Sequence, residues 1–456
     1  MKRRWLKVIT IACATVLSAS LFVGCGGSTD GNDKPQNGDN DSTAKKELNI
    51  AVFEGGFGSA FWDEAKKAFE TKNPDVKVNI ESNPKIGELI RPKISAGEAP
   101  DFIYLSSNDP SGIATALIKD KGLEDLTDLF DREDPDNAGK KLKDKILPGF
   151  LDTPLTAPYG DNKVFLAPLY YNVTGLWYNK ALFKEKGWEI PKTWDDFFAL
   201  GEKAKGEDIA LFAYQGQSPG YNEALMFPML ADAVGVKKLD DIYNYEDGAW
   251  ENPDVLKALK VFEDIANKDM ALNGTVGMNH TQAQKEFLDG KALFLPCGSW
   301  LEGEMKDATP EGFEFGFMAP PSFKEGNDPY VCTTIEQMYI PKEAKNKDLA
   351  KDFMAFLYTD EMVKKNAEFA GAVVPTQGAV ESAKEFIDAS SYDAFKVVEA
   401  GATPLTVNFA AAKSEVNMRD SVLSPIGKVI NKELKAEDWA KQLEKDSDKV
   451  RETVVK

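Results

Sequence analysis

The sequence predicts an α/β fold with at least two lobes. Segments with strand-like and helix-like spacing of apolar residues alternate along residues 47–105, with Gly, Asn and Pro in the turns between them. About 410 residues follow an N-terminal leader and tether, which is more than one hydrophobic core usually organises. Since 43% of the residues are hydrophobic, the chain can fill more than one core.

The N-terminus has the layout of a secretory signal peptide. Four basic residues lie within the first seven, and residues 8–23 form an almost uncharged apolar run. A retained membrane-spanning helix is the alternative, but the run is short for a span. Residues 26–46 then offer no large apolar side chains, which predicts a flexible tether. We therefore assign residues 1–24 to a signal peptide.

Residues 22–25, Phe-Val-Gly-Cys, resemble a bacterial lipobox, with Phe22 where the motif usually has Leu. In that motif the cysteine is lipidated, palmitate being one acyl chain, and becomes the first mature residue. The resemblance implies that Cys25 and the tether, residues 25–46, anchor an extracytoplasmic protein to the outer face of the cytoplasmic membrane.

The charge balance argues against negatively charged partners, which proteins usually bind through basic residues. The chain has 55 basic and 74 acidic residues, and without residues 1–24 the balance is 51 against 74, or −23. Nucleic acid and anionic lipid surfaces are therefore not expected to bind the folded part.

The cysteine and histidine content argues against metal and histidine chemistry. Beyond the signal only Cys25, Cys297 and Cys332 remain, and His280 is the one histidine. We expect no disulfide framework, metal site, cofactor or Ser-His triad. Cys297 and Cys332 could pair in an oxidising compartment, and two buried thiols are the favoured interpretation.

The first elements predict a βαβ unit. Residues 47–52 and 76–80 have strand patterns, and residues 61–72 have apolar residues at helical spacing. The intervening glycine-rich loop lacks the spacing and the lysine of a phosphate-binding loop. Glu54 in that loop is therefore a candidate for contact with another kind of ligand.

A cluster of polar side chains follows the next predicted strand. Residues 87–95 predict a helix, residues 99–105 a strand, and Ser107, Asn108 and Asp109 come directly after it. Loops at the carboxyl ends of parallel strands converge, so this cluster and Glu54 are expected to face one crevice. The alternative is that Asn108 and Asp109 only cap the following helix.

Residues 117–130 and 140–150 predict helices or turns around an acidic segment, residues 131–136. Calcium binding is one interpretation of that segment. Arg132 and Pro135 interrupt it, and it lacks the Gly and Glu of an EF-hand loop, so a solvated acidic turn is favoured.

The later elements continue the alternation. Strand, helix and a new helix start occur together in residues 165–194, and residues 292–295 form another predicted strand, which leads to the segment 298–300. Further helices are predicted at residues 222–234, 253–268, 347–357 and 437–454.

Several motifs resemble, in the same order along the chain, those of one protein family, the solute-binding proteins of bacterial carbohydrate ABC importers. The matching motifs are PLYYN (168–172), LWYNK (176–180), PKTWDDF (191–197), FLDGKALF (287–294), GSW (298–300) and FGFMAP (315–320). Within that family the chain is most similar to lipoproteins that bind N-acetylglucosamine and its β-linked dimer, on the segments 53–58, 84–92, 277–284 and 290–300. The resemblance runs from residue 47 to residue 456.

The resemblance implies a two-lobe periplasmic-binding-protein fold, type II-like, in which each lobe is a mainly parallel sheet flanked by helices and several strands form the hinge. Lobe 1 would comprise residues 47–168 and 333–373, and lobe 2 residues 169–332 and 374–456. It further implies a monomer that binds a mono- or oligosaccharide, N-acetylglucosamine or chitobiose being the candidates, and delivers it to ABC permease transmembrane subunits without catalysis.

Trp300 is the leading candidate for ligand contact. It follows Gly-Ser at a strand end, which is a poor place for core packing and a good one for stacking on the C–H face of a sugar. Packing of Trp300 under its own loop is the alternative. For His280, a ligand contact and a capping role are equally open. The complete predicted ligand set is Glu54, Phe57, Ser107, Asn108, Asp109, Tyr170, Tyr171, Asn172, Tyr214, Tyr221, Asn279, Trp300 and Glu336.

Two other functions remain open from the residues alone. A glycosidase needs two carboxylates set across a bond, and Glu54, Asp109, Glu302 and Glu336 are available, although their spacing singles out no pair. A surface adhesin that binds glycans without transport is the other alternative, and it predicts no conformational response to a small sugar.

Overall fold

The computed structural model describes residues 45–55, 57–107, 109, 111–151, 153, 155–410 and 412–454. The predicted signal peptide, the lipidation of Cys25 and the tether up to residue 44 lie outside the described residues, and so does Asn108.

Strands and helices alternate along the described chain, which confirms the predicted α/β class. The strands are β1 (Lys46–Phe53), β2 (Val76–Asn83), β3 (Phe102–Tyr104), β4 (Glu133–Asp134), β5 (Asn137–Lys141), β6 (Ala167–Asn179), β7 (Ala210–Phe212), β8 (Ala292–Gly298), β9 (Phe315–Met318), β10 (Tyr330–Tyr339) and β11 (Thr403–Leu405).

Helices occur between most pairs of consecutive strands. They are α1 (Ala60–Lys72), α2 (Ile86–Ser95), α3 (Ile113–Lys119), α4 (Thr127–Asp131), α5 (Leu142–Lys145), α6 (Lys180–Lys186), α7 (Trp194–Lys205), α8 (Glu223–Val234), α9 (Val236–Tyr243), α10 (Pro253–Asn267), α11 (His280–Leu288), α12 (Leu301–Met305), α13 (Lys347–Leu357), α14 (Asp360–Ala370), α15 (Ala379–Ala383), α16 (Ala389–Glu399), α17 (Met418–Leu423), α18 (Ile426–Ile430) and α19 (Ala436–Arg451). Short 3-10 helices cover Pro219–Asn222, Ala249–Glu251, Thr275–Gly277 and Lys306–Ala308.

Among the described residues, nine strands form one sheet. Its main path runs β2-β1-β3-β10-β6-β8-β7, with β11 beside β10 and β9 beside β6. β1 is parallel to β2 and β3, and β7 is parallel to β8. β10 and β6 are antiparallel to each other, and β10 is antiparallel to β3 as β6 is to β8. Parallel pairs therefore lie toward both ends of the path, and antiparallel pairs lie in its middle.

The first βαβ unit forms as the sequence predicts. Phe61, Trp62, Ala65 and Phe69 lie on one buried face of α1, because helical spacing brings them together. Asn73 ends the helix, and its side-chain nitrogen donates to the Phe69 carbonyl at 3.0 Å. β2 then pairs in parallel with β1 over its whole length.

The predicted lobe ranges imply three crossings, near residues 168, 332 and 373. The backbone segments at these crossings lie side by side at the middle of the sheet. β6 and β10 pair with each other, and the Tyr171 N–H donates to the Val373 carbonyl at 3.0 Å. The β6–β10 ladder shifts register between Glu336 and Gln337, which marks a bulge or irregularity. The lobe boundaries themselves remain predictions.

Most of the acidic segment 131–136 is exposed to solvent, as the sequence favours, and Asp134 is the buried exception. Asp134 is 3% exposed and Lys145 is 8% exposed. The Lys145 ammonium lies 2.6 Å from a carboxylate oxygen of Asp136, 2.6 Å from one of Asp360, and 3.8 Å from one of Asp134. These carboxylates therefore hold a lysine, in the place that the calcium interpretation gave to a metal ion.

Candidate functional site

A cavity of about 750 Å³ opens beside the two central strands. Asn172 of β6 and Glu336 of β10 contribute to its wall, so both strands reach it. Ser106 enters from the loop after β3, and Trp300 enters from the loop after β8. Loops at the carboxyl ends of strands therefore meet here, which is where ligands bind in α/β sheets, and the volume suits a small molecule.

Trp300 is exposed because of the residue two places before it. A Cβ added to Gly298 would lie 1.9 Å from Cζ3 of the Trp300 ring, so the indole lies against bare backbone. Two hydrogen bonds fix the intervening Ser299: its N–H donates to the Val173 carbonyl at 2.9 Å, and its carbonyl accepts from the Ser391 hydroxyl at 2.5 Å. Trp300 remains 38% exposed, which agrees with the predicted ligand-facing position.

Tyr221 supports the indole from the side. The two ring centroids are 6.3 Å apart with an interplanar angle of 61°, an edge-to-face contact. On its other side Tyr221 stacks on His280, with centroids 5.6 Å apart. His280 Nε2 lies 3.4 Å from a carboxylate oxygen of Glu304. Trp300, Tyr221 and His280 therefore form a continuous aromatic row. His280 is at the end of the row away from Trp300 and does not line the cavity.

A second cavity of about 330 Å³ adjoins the first. Arg419 and Glu223 line both cavities, and the Arg419 Nε donates to a Glu223 carboxylate oxygen. Ala224, Cys297 and Gly298 line the smaller cavity but not the larger one. The cleft therefore has one ion pair at the junction of a larger polar space and a smaller, more apolar one.

Glu336 is the predicted carboxylate that reaches the cavity. Burial raises its pKa, a hydrogen bond from the Tyr104 hydroxyl at 3.3 Å opposes that effect, and the negative charge of Asp109 adds to it. Glu336 lies next to the β6–β10 irregularity, so its side chain enters the cavity from the middle of the sheet.

Of the other predicted first-lobe residues that the structure describes, Glu54, Phe57, Ser107 and Asp109 do not line the cavity. The Ser107 N–H donates to the Gln337 side chain at 2.8 Å, and its hydroxyl is buried without a hydrogen-bond partner in the described structure. Asp109 accepts from the Ser111 N–H at 2.9 Å within the turn before α3, and the N-cap of that helix is Gly112, so Asp109 does not cap the helix itself. Glu54 accepts from the Ser82 hydroxyl at 3.4 Å.

Three of the predicted tyrosines are core residues in this structure. Tyr170, Tyr171 and Tyr214 are 1%, 0% and 1% exposed. Tyr170 packs edge-to-face on Phe57, with centroids 4.9 Å apart. Burial raises the pKa of Tyr214 to about 12. None of these three tyrosines lines the cavity, because each is almost completely buried in the core.

Asn279 and Asn172 have different surroundings. The Asn279 side chain caps α11 by accepting from the Gln282 N–H at 2.9 Å, so its oxygen is already used. Asn172 lines the larger cavity and its side-chain oxygen accepts from the Ser299 hydroxyl at 3.4 Å. The amide nitrogen of Asn172 therefore remains available to the cavity.

Part of the cavity wall lies in a segment for which the sequence predicted no ligand contact. Asn408, Phe409 and Arg419 line the cavity, together with Glu223 at the start of α8. No residue between 377 and 436 carried a motif or a clear period. Glu223 follows the aromatic and amide-rich loop 214–222, which was the one available signal.

Cys297 and Cys332 are free and buried, which confirms the two-thiol interpretation. Burial raises the pKa of both, so the thiols stay protonated near neutral pH. The Cys332 thiol donates to the Glu223 backbone carbonyl at 3.1 Å. Neither cysteine is therefore poised to react.

One carboxylate group in the described chain has metal-ligand spacing, namely Asp247, Glu444 and Asp448. Arg451 already pairs with it, with guanidinium nitrogens 3.0 Å from Glu444 and 2.6 Å from Asp448, so part of its negative charge is offset. We also find that no helix in the described part of the chain combines the length and apolarity of a membrane span.

Sequence and structure comparisons find sugar-binding proteins among the relatives of this chain. The chain is 28% identical over 457 residues to the diacetylchitobiose binding protein NgcE of Streptomyces coelicolor, covering 97% of this chain and 94% of that protein. It is 26% identical over 326 residues to the multiple sugar-binding protein of Streptococcus mutans, covering 69% and 72%. The apo-form of RafE from Streptococcus pneumoniae superposes with a TM-score of 0.70 at 18% identity, covering 90% of this chain and 99% of that one, and shows the shared two-lobe fold.

The model of the bacterial extracellular solute-binding protein family matches residues 54–364, well over half of the chain. The protein therefore belongs to the bacterial extracellular solute-binding protein family, an extracytoplasmic family with a two-lobe α/β fold.

Proposed function

We propose that this protein captures a sugar for an ABC importer, and that the sugar is N-acetylglucosamine or its β-linked dimer, chitobiose. The observation that carries the proposal is the exposed face of Trp300 in a cavity rimmed by polar groups. A pyranose has one relatively apolar C–H face and a rim of hydroxyls. An aromatic surface beside amide and carboxyl groups suits both parts.

Similarity to named sugar-binding proteins supports this choice of ligand. NgcE is named for diacetylchitobiose, and its alignment covers nearly the whole of both chains. The relative from Streptococcus mutans is named for multiple sugars. The ligand class proposed here is therefore carbohydrate, with the acetylated amino sugar as its specific form.

The proposed mechanism is closure of the cleft around the sugar. Hinge closure is the general behaviour of periplasmic binding proteins. Here β6 and β10 would bend, because both lie in the middle of the sheet and line the cavity. The ligand must bind the closed state more tightly than the open one for closure to follow binding.

We assign direct contacts to Trp300, Asn172 and Glu336, which line the cavity as it stands. Glu54, Phe57, Ser107, Asn108 and Asp109 would approach the sugar on closure. Tyr221 would hold the indole in place, with Asn279 behind it. Tyr170, Tyr171 and Tyr214 would support the wall from the core.

Delivery requires the protein to stay near its permease. In this proposal lipidated Cys25 and the tether hold a monomer at the outer face of the cytoplasmic membrane, after removal of residues 1–24. The closed form would then be recognised by the transmembrane subunits of the ABC permease. A tether of about 20 residues allows the domain to reorient freely while it stays at the membrane.

A glycosidase is the second candidate because Glu223 and Glu336 both line the cavity. Acid–base hydrolysis needs two carboxylates free to exchange protons across the glycosidic bond. Glu223 is instead bound by Arg419, which favours binding over hydrolysis.

Calorimetric titration against a glycan panel tests the proposal. The panel contains N-acetylglucosamine, chitobiose, maltose, cellobiose and xylobiose, and each mixture is analysed for products. We expect binding of the acetylated sugars without products. Product formation would support the glycosidase, and no response to any glycan would overturn sugar capture. Binding without a change in small-angle scattering would favour an adhesin.

A further inference from the structure

We propose that the smaller cavity beside Trp300 is the subsite for the acetamido group of the sugar, and that Arg419 binds its carbonyl oxygen. This inference rests on the proposed function, since it specifies which part of that ligand the smaller cavity selects. Its volume is about 330 Å³, against about 750 Å³ for the larger cavity.

The two cavities are compartments of one cleft. They share five lining residues, so a ligand in the larger compartment can extend a substituent into the smaller one. The shared residues are Thr174, Glu223, Trp300, Thr334 and Arg419. A sugar stacked on Trp300 would therefore have the smaller compartment at its edge.

Arg419 supplies unused hydrogen-bond donors at this junction. Its Nε donates to Glu223, while within the described structure neither terminal nitrogen has a protein acceptor. The guanidinium lies over Gly220, where an added Cβ would be 3.1 Å from Nη2. A guanidinium fixed by one bond presents its remaining N–H groups in a defined direction, which suits a single acceptor oxygen.

The local charge favours a neutral acceptor over an anionic one. Glu223 offsets the charge of Arg419, and no other cation lines either compartment among the described residues. Glu336 adds a second carboxyl to the larger compartment. A sugar carboxylate would therefore meet no net positive charge here, whereas an amide carbonyl needs only the donor.

The remaining wall of the smaller compartment fits a methyl group. Ala224, Gly298 and the protonated thiol of Cys297 are small and weakly polar, and the ring of Tyr221 adds an apolar surface. An acetamido group combines one carbonyl acceptor with one methyl. A hydroxyl at the same carbon would reach neither the methyl surface nor the full depth of the pocket.

The test compares two disaccharides that differ at this substituent. Calorimetry measures the binding of N,N′-diacetylchitobiose and cellobiose to wild type, Arg419→Lys and Arg419→Met. The lysine variant keeps a positive charge beside Glu223 but loses the fork of donors. Arg132→Met is the matched control, because it removes a guanidinium from a surface pair with Asp352 at 2.7 Å and lies far from the cleft lining.

We expect Arg419→Met to weaken diacetylchitobiose binding by about 10- to 100-fold, the effect of losing a charge-assisted hydrogen bond. Cellobiose binding should change by less than about threefold, and Arg419→Lys should fall between wild type and Arg419→Met. Arg132→Met should leave both affinities unchanged.

Equal losses for both sugars in the Arg419 variants would overturn the acetamido subsite and leave sugar capture standing. A wild type that prefers cellobiose would do the same. A wild type that binds no saccharide would overturn both the subsite and the proposed function. If Arg419→Met does not fold, Arg419→Lys provides the test. A selective loss of diacetylchitobiose affinity relative to cellobiose affinity in that variant supports the subsite, and equal losses overturn it.

Discussion

Two neighbouring regions of the molecule use aromatic side chains in opposite ways. In β6, Tyr171 is fully buried and packs between Phe150 and Phe395, with centroids 5.0 Å from each. Just beyond β8, Trp300 lies on Gly298 and remains 38% exposed. Both strands belong to the same sheet and pair with each other.

The difference comes from position in the strand and from the residue beneath the ring. A side chain inside a central strand is covered by helices on either face, so an aromatic residue there fills the core. At a strand end the chain leaves the sheet, and a glycine lets a ring lie on the backbone without a core around it. The presence of an aromatic residue therefore says less about ligand contact than its place in the strand.

The largest effect is expected at Tyr171 and concerns stability. Tyr171→Ala removes a fully buried ring, and we expect the free energy of unfolding to fall by about 3–5 kcal/mol in urea titration. Affinity of the folded protein for chitobiose should stay within about threefold of wild type.

Tyr171→Phe is the control for this first prediction. The Tyr171 hydroxyl is buried with no partner in the described structure, so its removal should cost less than about 1 kcal/mol. Loss of binding in Tyr171→Ala without loss of stability would show that this ring belongs to the site after all.

Trp300→Ala should have the opposite pattern. We expect sugar affinity to fall by about 100-fold or more, because the stacking surface is removed, as for aromatic anchors in other sites. The free energy of unfolding should change by less than about 1 kcal/mol, since the ring is partly exposed in the free protein.

Calorimetry and urea unfolding on the same Trp300→Ala sample check this second prediction, with Trp300→Phe as a control that keeps a smaller ring. An unchanged affinity in Trp300→Ala would mean that Trp300 only covers its own loop.

Gly298→Ala should weaken binding through Trp300. The added methyl would occupy the position of the indole, so the ring must move, and we expect about a tenfold loss of affinity. In the double variant Gly298→Ala/Trp300→Ala the loss should equal that of Trp300→Ala alone, because the glycine acts only through the ring.

Fluorescence provides a second measurement for Gly298→Ala: the difference between the spectra with Trp300 and with Trp300→Phe, taken with and without Gly298→Ala, reports the surroundings of this indole. Additive losses in the double variant would show that Gly298 affects binding by some route other than the indole.

The smallest effect is expected at Glu336 and depends on pH. Burial raises the pKa of this carboxyl, so the folded state favours the protonated acid. Its contribution to stability is therefore present at low pH and is lost as the pH rises through the folded pKa. Glu336→Gln mimics the protonated form at every pH.

We accordingly expect ligand-free Glu336→Gln to match the wild-type melting temperature at about pH 4 and to exceed it at about pH 8. Tyr104→Phe, which removes the hydroxyl that donates to Glu336 at 3.3 Å, should enlarge the difference. Identical melting curves of wild type and Glu336→Gln at both pH values would contradict the raised pKa.

Much of the fold could be predicted from local patterns. Residues 61–72 predicted α1 to within one residue, and residues 437–454 predicted α19 to within a few, because both carry apolar residues at helical spacing. The βαβ start followed from the order of strand, glycine-rich turn and helix.

The site was only partly predictable. Gly298-Ser299-Trp300 gave the exposed indole, because the strand pattern ends there. Tyr170 and Tyr171 were predicted to face ligand, yet β6 is buried along nearly its whole length and shows no alternation that separates core from cleft. Arg419 was missed because it lies on the short helix α17, which carries no motif and reaches the site only through tertiary contacts.

The position of β10 in the sheet has a consequence for how the chain is made. β10 is the last strand of the main sheet path to be synthesised, yet it lies between β3 and β6. Until Tyr339 has emerged, β1–β3 and β6–β8 can form only as separate, open-edged pieces. The protein must therefore wait for about three quarters of its length before its middle closes, which is a slow, high-contact-order step.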